Sequence, residues 1–361
     1  MTQELACTTK EWQLGWVAAA SASLPMVCPF AIGKAFGLAA ATHEPYVCCA
    51  RILSYTPRIA VMTIRLDMLR TAGRASDALG DSVDVVRDFL RRHLAGDGGF
   101  AGRDGRSDLY YTVFGLEASL AMEADIPYER VADYLGRFGT GESLDFVHLA
   151  CLARCRANLC DTRGQVMDAQ TREDMAKRLQ SYRAEDGGFS AAAHAERGSA
   201  YGSFLALGAC QDLDMACPDP DGMAASIQSL QMSDGGYANE PAMTVSATAA
   251  TAAAICVLHY LNRSIPESAV RWLTAQAQPQ GGFTPIRLPA GAAIPDLLST
   301  ATALHALSIA GALADDMREK HLDYLDSLWT AEGGFRGHWA DDVADCEYTY
   351  YGLLSLGCLA K

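Results

Sequence analysis

The 361-residue chain carries 29 Lys and Arg against 43 Asp and Glu, a formal net charge of -14, which argues against nucleic-acid phosphates and anionic membrane surfaces as main partners. Half of its residues are apolar, enough to bury a large core. Its 12 cysteines lie scattered through apolar stretches with no CxxC pair, so no disulfide framework is expected and a reducing cytoplasm is the simplest setting.

The first element is a charge-poor stretch, residues 16–41, interrupted by Pro25, Pro29 and Lys34 and preceded by Glu4, Lys10 and Glu11 rather than by a basic run. This pattern predicts an extension, residues 1–54, that packs on the domain, with a signal or membrane anchor as the alternative reading. The run "IAVMTIRLDML" (59–69) predicts a helix of the domain's inner layer.

A recurring turn organises residues 55–361. "GDGGFAGR" at 96 returns as "EDGGFSAA" at 185, "SDGGYANE" at 233, "PQGGFTPI" at 279 and "AEGGFRGH" at 331. The first glycines, Gly98, Gly187, Gly235, Gly281 and Gly333, are separated by 89, 48, 46 and 52 residues, so the first interval hides one degenerate unit. "FGTGESLDFVHLACLARC" (138–155) fills that place. Such a period marks one supersecondary unit stacked repeatedly on its neighbours. Each unit predicts two helices. An amphipathic run such as "VDVVRDFLRRHL" (83–94) precedes the glycines, and a run rich in small and apolar residues such as "YTYYGLLSLGCL" (348–359) follows them. The first kind belongs to an outer ring and the second to an inner one, giving an all-α double ring of about six helical hairpins.

"DGGFAGRDGRSDLYYTVFGLEASL" (97–120) resembles the repeat of protein prenyltransferase beta subunits and, more loosely, that of squalene and other class II terpene cyclases. The resemblance implies an (α/α)6 toroid whose central apolar cavity holds an isoprenoid. It does not by itself imply the chemistry. In the prenyltransferases a zinc ion that activates a thiolate is held by Asp and Cys of "PDxCYS" and by a His that opens the last inner helix. Here "PDLLST" (295–300) keeps Asp296 but places Leu298 at the cysteine position, and "DCEYT" (345–349) places Tyr348 at the histidine position. No metal and no other cofactor is therefore expected. The diphosphate clamp is thinned as well, leaving Arg197, Arg287 and Arg336 as candidate cations, each equally readable as a solvated loop arginine.

The cyclase comparison points elsewhere. Class II cyclases protonate an alkene with the middle acid of "DxDDT", and "DCEYT" keeps Asp345 and Glu347 followed by Tyr348 and Thr349. Two neighbouring carboxyls beside an apolar cavity can hold a proton on one of them at neutral pH, which a general acid needs. An acid opening a helix also caps it, and Asp108 and Asp296 occupy the same slot without a second acid. Tyr110, Tyr111, Tyr201, Trp339, Tyr348, Tyr350, Tyr351 and Trp272 are aromatic candidates for the cavity wall, or for plain core. His148, Cys151 and Cys155 share one helix face, a pattern that fits core packing better than a metal site.

Three functions fit this reading. The first is metal-independent prenyl transfer or proton-initiated cyclisation. The second is a lipid-binding module or scaffold working with a separate helical partner. The third is a zinc prenyltransferase with relocated ligands. Their ligands are an isoprenoid or an isoprenoid diphosphate.

Overall fold

The computed structural model describes residues 62–287 and 294–360. The extension at 1–54, with its charge-poor stretch, lies outside them. Among the described residues, α1 (Ile64–Gly73) and the short α2 (Ala75–Leu79) precede six hairpins of alternating outer and inner helices. The pairs are α3 (Val83–His93) with α4 (Leu109–Ala121), α5 (Tyr128–Gly136) with α6 (Phe146–Arg163), and α7 (Ala169–Gln180) with α8 (Ala200–Asp212). They continue as α9 (Pro220–Ser229) with α10 (Thr248–Tyr260), α11 (Glu267–Thr274) with α12 (Leu297–Ile309), and α13 (Arg318–Leu328) with α14 (Cys346–Leu359). Each inner helix packs on the next, and α14 packs on α4, which closes the ring.

The sequence explains the layering. In α10 every residue from Thr248 to Leu258 is buried, so that helix has no solvent face, whereas α3 buries only Val86, Phe89 and Leu90. Five of the six inner helices begin at side-chain caps, where Asp108, Asp145, Ser199, Asp296 and Asp345 each accept a backbone N–H of the first turn, and α10 begins at Ala247 without one. One turn in, a hydroxyl accepts the N–H of the turn's aromatic residue. The pairs are Phe100 with Thr112 (3.0 Å), Phe189 with Ser203 (3.2 Å), Tyr237 with Thr251 (2.9 Å), Phe283 with Thr300 (3.0 Å) and Phe335 with Thr349 (3.2 Å).

The repeated glycine has a double cause. Gly98, Gly187, Gly235, Gly281 and Gly333 all adopt φ between 88° and 97°. Each also lies against the start of the next outer helix. A Cβ on Gly98 would stand 2.0 Å from the Arg130 carbonyl oxygen, and one on Gly333 would stand 2.3 Å from that of Val85, which joins the last hairpin to the first. The acid before the glycines holds the turn, as Asp97, Asp186 and Asp234 accept the N–H of Gly99, Gly188 and Gly236. In the fourth repetition Gln280 replaces that acid, and the Gly282 N–H instead donates to Nδ1 of buried His321 at 2.9 Å.

One expectation fails. The helix at 64–73 does not join the inner ring but lies across the C-terminal halves of the inner helices. Its Arg65 donates to Asn158 (2.8 Å) and Asp161 (2.7 Å) of α6 and to Asp212 (2.8 Å) of α8. Asp67 accepts from Tyr260 of α10 at 2.8 Å and lies 3.3 Å from Nε2 of His305 of α12. The Thr71 carbonyl touches Gly357 of α14, where a Cβ would stand 1.7 Å away. The apolar spacing of this segment fits an inner helix, but its charged pair, Arg65 and Asp67, meets partners only at the ring's end.

Candidate functional site

At the other end, the rim is stitched by the loops that follow the glycine turns. The loop of one hairpin bonds the start of the preceding inner helix. Ala200 N–H donates to the Asn239 carbonyl (2.9 Å), Thr248 N–H to that of Pro285 (2.8 Å) and Leu297 N–H to that of Gly337 (2.8 Å). Where the first and last hairpins meet, the loop residue is Arg103. Its guanidinium bonds Asp345 at 2.7 Å and Asp341 at 2.7 and 3.3 Å, and it lies over the Tyr348 ring at 5.4 Å. The site is thus built on the seam of the ring.

Glu347 projects at this seam from the first turn of α14. Unlike Asp345, it caps nothing. Its Oε1 accepts the hydroxyl hydrogen of Tyr110, from α4, at 2.7 Å. Glu347, Tyr201, Asp296 and Arg154 are each half-buried, so none is sealed in the core. Aromatic rings surround the carboxyl. Tyr110 meets Tyr111 and Phe114 edge-on at 5.7 and 4.9 Å, and Phe114 lies 5.4 Å from Tyr351. Two helical turns below Tyr110 on the same helix, Glu117 forms a two-pronged ion pair with Arg154 at 2.6 and 2.9 Å.

Burial raises the Glu347 carboxyl to about 8, with the negative charge of Asp345 adding to the rise and the Tyr110 hydrogen bond and Arg103 opposing it. Burial and the Asp345 charge both favour the protonated form of Glu347 at neutral pH. Burial also raises Asp345, against the pull of the Tyr348 N–H and Arg103. Asp296 rises to about 6 through burial, its charge still supported by the Ser299 N–H (2.7 Å) and hydroxyl (2.9 Å). Burial places Tyr110 well above the ordinary phenol range, so it acts as a neutral donor.

The structure groups Glu347, Asp345, Tyr110, Tyr111 and Tyr348 at the seam. Asp296 opens the neighbouring inner helix α12, and Tyr201 lies in the first turn of α8. The arginines fall differently. Arg197 is exposed and bonds Ser229 (3.0 Å) and Asp186 (3.5 Å), both outside the inner ring. Arg287 is exposed. Arg336 is half-buried in the strand β1 (Phe335–Arg336), which pairs with β2 (Ala344–Asp345), and its Nε has no partner among the described residues. Trp339 is 46% exposed, with its indole N–H on Ser327 (2.8 Å). Trp272 is buried on outer helix α11, with its indole N–H on Asp234 (2.8 Å). His148 pairs with Asp145 at 2.8 Å. Sequence reasoning missed Arg103, Phe114 and Arg154. Only the seam makes Arg103 special, because its partners are more than 230 residues away along the chain.

The residues do not fit the zinc ion of the prenyltransferases. Leu298 has no donor atom, and Tyr348, its phenol raised by burial, carries a proton and lies under a guanidinium. Among the described residues no three His, Cys, Asp or Glu are grouped so as to hold a metal ion.

Known proteins agree with this architecture. The type II terpene cyclase MstE from Scytonema superposes with a TM-score of 0.53 at 14% identity, over 78% of this chain and 97% of that one. Protein geranylgeranyltransferase-I of Candida albicans, complexed with GGPP, gives 0.54 at 13%, over 76% and 90%. The GH76A alpha-1,6-mannanase of Salegentibacter gives 0.52 at 12%, over 78% and 98%. At such identities the likeness is one of fold, and the mannanase shows that the fold hosts unrelated chemistry. No curated protein sequence matches the chain. No helix among the described residues is long and apolar enough to cross a membrane. The model of the prenyltransferase alpha-alpha toroid domain matches residues 66–285 and 296–361, and the chain belongs to that family.

Proposed function

We propose that the protein binds an isoprenoid in the space enclosed by the inner ring and that Glu347 starts its cyclisation by protonating an alkene. What supports this reading is a carboxyl enclosed at the seam that caps no helix and accepts the hydroxyl of Tyr110, whose ring packs against Tyr111 and Phe114, a setting in which burial raises the acid's pKa. The Glu347 O–H bond breaks as a C–H bond forms on the alkene, leaving a carboxylate and a tertiary carbocation. Neighbouring alkenes attack the cation, and a proton lost from carbon at the end regenerates the acid. The faces of Tyr110, Tyr111, Phe114, Tyr201, Tyr348 and Tyr351 stabilise the travelling positive charge. Burial first, and then the charge of Asp345, which Arg103 holds, favour the proton on Glu347.

Arg103 and Arg154 are each already paired with carboxylates, which supports an isoprenoid held by its hydrocarbon part rather than by a diphosphate clamp. The reading needs neither zinc nor a second chain. The test is incubation of pure protein with squalene and with farnesyl and geranylgeranyl compounds bearing and lacking diphosphate. A product of unchanged mass with fewer C=C bonds, lost in Glu347→Gln, is expected. Unchanged conversion in that variant sinks the assignment. Retention of an isoprenoid without conversion, together with a co-purifying helical protein, would instead establish the scaffold reading.

A further inference from the structure

The Tyr110–Glu347 hydrogen bond carries chemical information beyond the presence of an acid. Tyr110 belongs to the first hairpin and Glu347 to the last, and the tyrosine is held independently of its partner. Its backbone N–H donates to Asp108 Oδ1 at 2.8 Å, its ring is locked edge-on against Tyr111 and Phe114, and only 7% of it is exposed. A ring so fixed delivers its hydroxyl hydrogen to one oxygen of the carboxyl, Oε1. A protonated carboxyl has a single hydrogen to place, and an oxygen already accepting one is the poorer site for it.

We propose that Tyr110 is the positioning residue of the Glu347 acid: its hydroxyl occupies Oε1, leaves the transferable proton on Oε2, and steadies the carboxylate that remains after transfer. The inference rests on the proposed function only for its catalytic consequence, because the placement of the proton is a property of the resting protein. After the O–H bond of Oε2 breaks, the charge spreads over both oxygens, and the phenolic donor is already aimed at one of them. Preorganised donors aimed at developing charge need no rearrangement at the moment of reaction. Other groups act on the same carboxyl. Asp345 on its own helix raises it, Arg103 from the first loop lowers it, and Tyr111, Tyr201, Tyr348 and Tyr351 are close enough to feel its charge. Among them Tyr110 bonds directly to it.

The sign follows from the bond. Tyr110 favours the ionised form of Glu347, so Tyr110→Phe, which keeps the ring and its packing, makes Glu347 hold its proton to higher pH. The direct test is infrared titration of the carboxylic-acid C=O band that disappears in Glu347→Gln. In Tyr110→Phe the band should persist to a pH higher by about one unit, as expected for the loss of a hydrogen bond to a charged group. In a conversion assay the same variant should bind isoprenoid within a few-fold of wild type, lose about 10- to 100-fold in rate, and move the fall of rate at high pH upward. A merely structural tyrosine would lower the rate without moving that fall. An unshifted band, or a wild-type protein without the band at neutral pH, overturns the proposal. A shifted band in a protein that cyclises nothing leaves Tyr110 in its place and refutes the cyclase reading instead.

Discussion

His321 provides a test of how the repeated turn is held. In the fourth repetition it stands in for the missing acid, with Nδ1 accepting the Gly282 N–H at 2.9 Å and its ring stacked on Phe283 at 5.0 Å. An accepting Nδ1 is an unprotonated one, and burial, helped by Lys320, lowers the folded-state pKa to about 4. The unfolded chain binds its proton near 6.5. The depressed histidine contributes its full stability above 6.5 and loses it as pH falls from there toward 4, because the unfolded state takes up the proton first. At pH 5 the loss is about 2 kcal/mol, from the ratio of proton uptake in the two states. Urea denaturation of wild type and His321→Asn at pH 7, 6 and 5 isolates it, since other titrating groups cancel in the difference. The wild type should lose about 2 kcal/mol more than the variant between pH 7 and 5. Equal slopes in the two proteins would refute the tautomer and the role assigned to this ring.

Two further outcomes follow from the packing. Arg65→Ala removes the partner of Asp212, whose side chain is only 2% exposed, and should cost about 3–5 kcal/mol in chemical denaturation. The double variant with Asp212→Ala should recover part of that loss, and a single-variant cost below about 1 kcal/mol would mean that α1 is not pinned by this network. Gly333→Ala combines a φ of 92° with a contact of 2.3 Å to the Val85 carbonyl and should destabilise by about 2–4 kcal/mol. Gly164→Ala, at φ 61° and ψ 33° with open space around it, should cost only about 1 kcal/mol, so equal effects would argue against steric closure at the seam.

The fold was legible because its determinants are local and repeated. Positive-φ glycines, caps at Asp108, Asp296 and Asp345, and helices apolar on every side each leave a mark within a dozen residues. The degenerate unit at 138–155 was also placed by its interval, and α6 begins within it at Phe146. Helix α1 defeated the same reasoning because periodicity reports which face is apolar, not which way the axis runs. Part of the site was legible for the same local reason, as Asp345 and Glu347 lie in one motif. What separates their roles is long-range: the cap belongs to Asp345 and the Tyr110 contact to Glu347, with Tyr110 lying 237 residues upstream. Arg197 and Trp339 illustrate the converse, since residue type made them candidates and position put them on loops with partners of their own.

The seam has a consequence for the order of events in the life of the chain. Tyr110 and Arg103 emerge early in synthesis and Glu347 and Asp345 late, and the two sets meet only when the first and last hairpins come together. Until then Glu347 is an ordinary solvated carboxyl, ionised at neutral pH, beside a trough rather than a chamber. Burial and the neighbouring Asp345, which raise the Glu347 carboxyl, are complete only when the last hairpin docks, so under the proposed function a half-made molecule would lack its acid. Under that proposal ring closure and activation would be one event, and a lesion that loosens the last hairpin would lower the Glu347 pKa even from a distance.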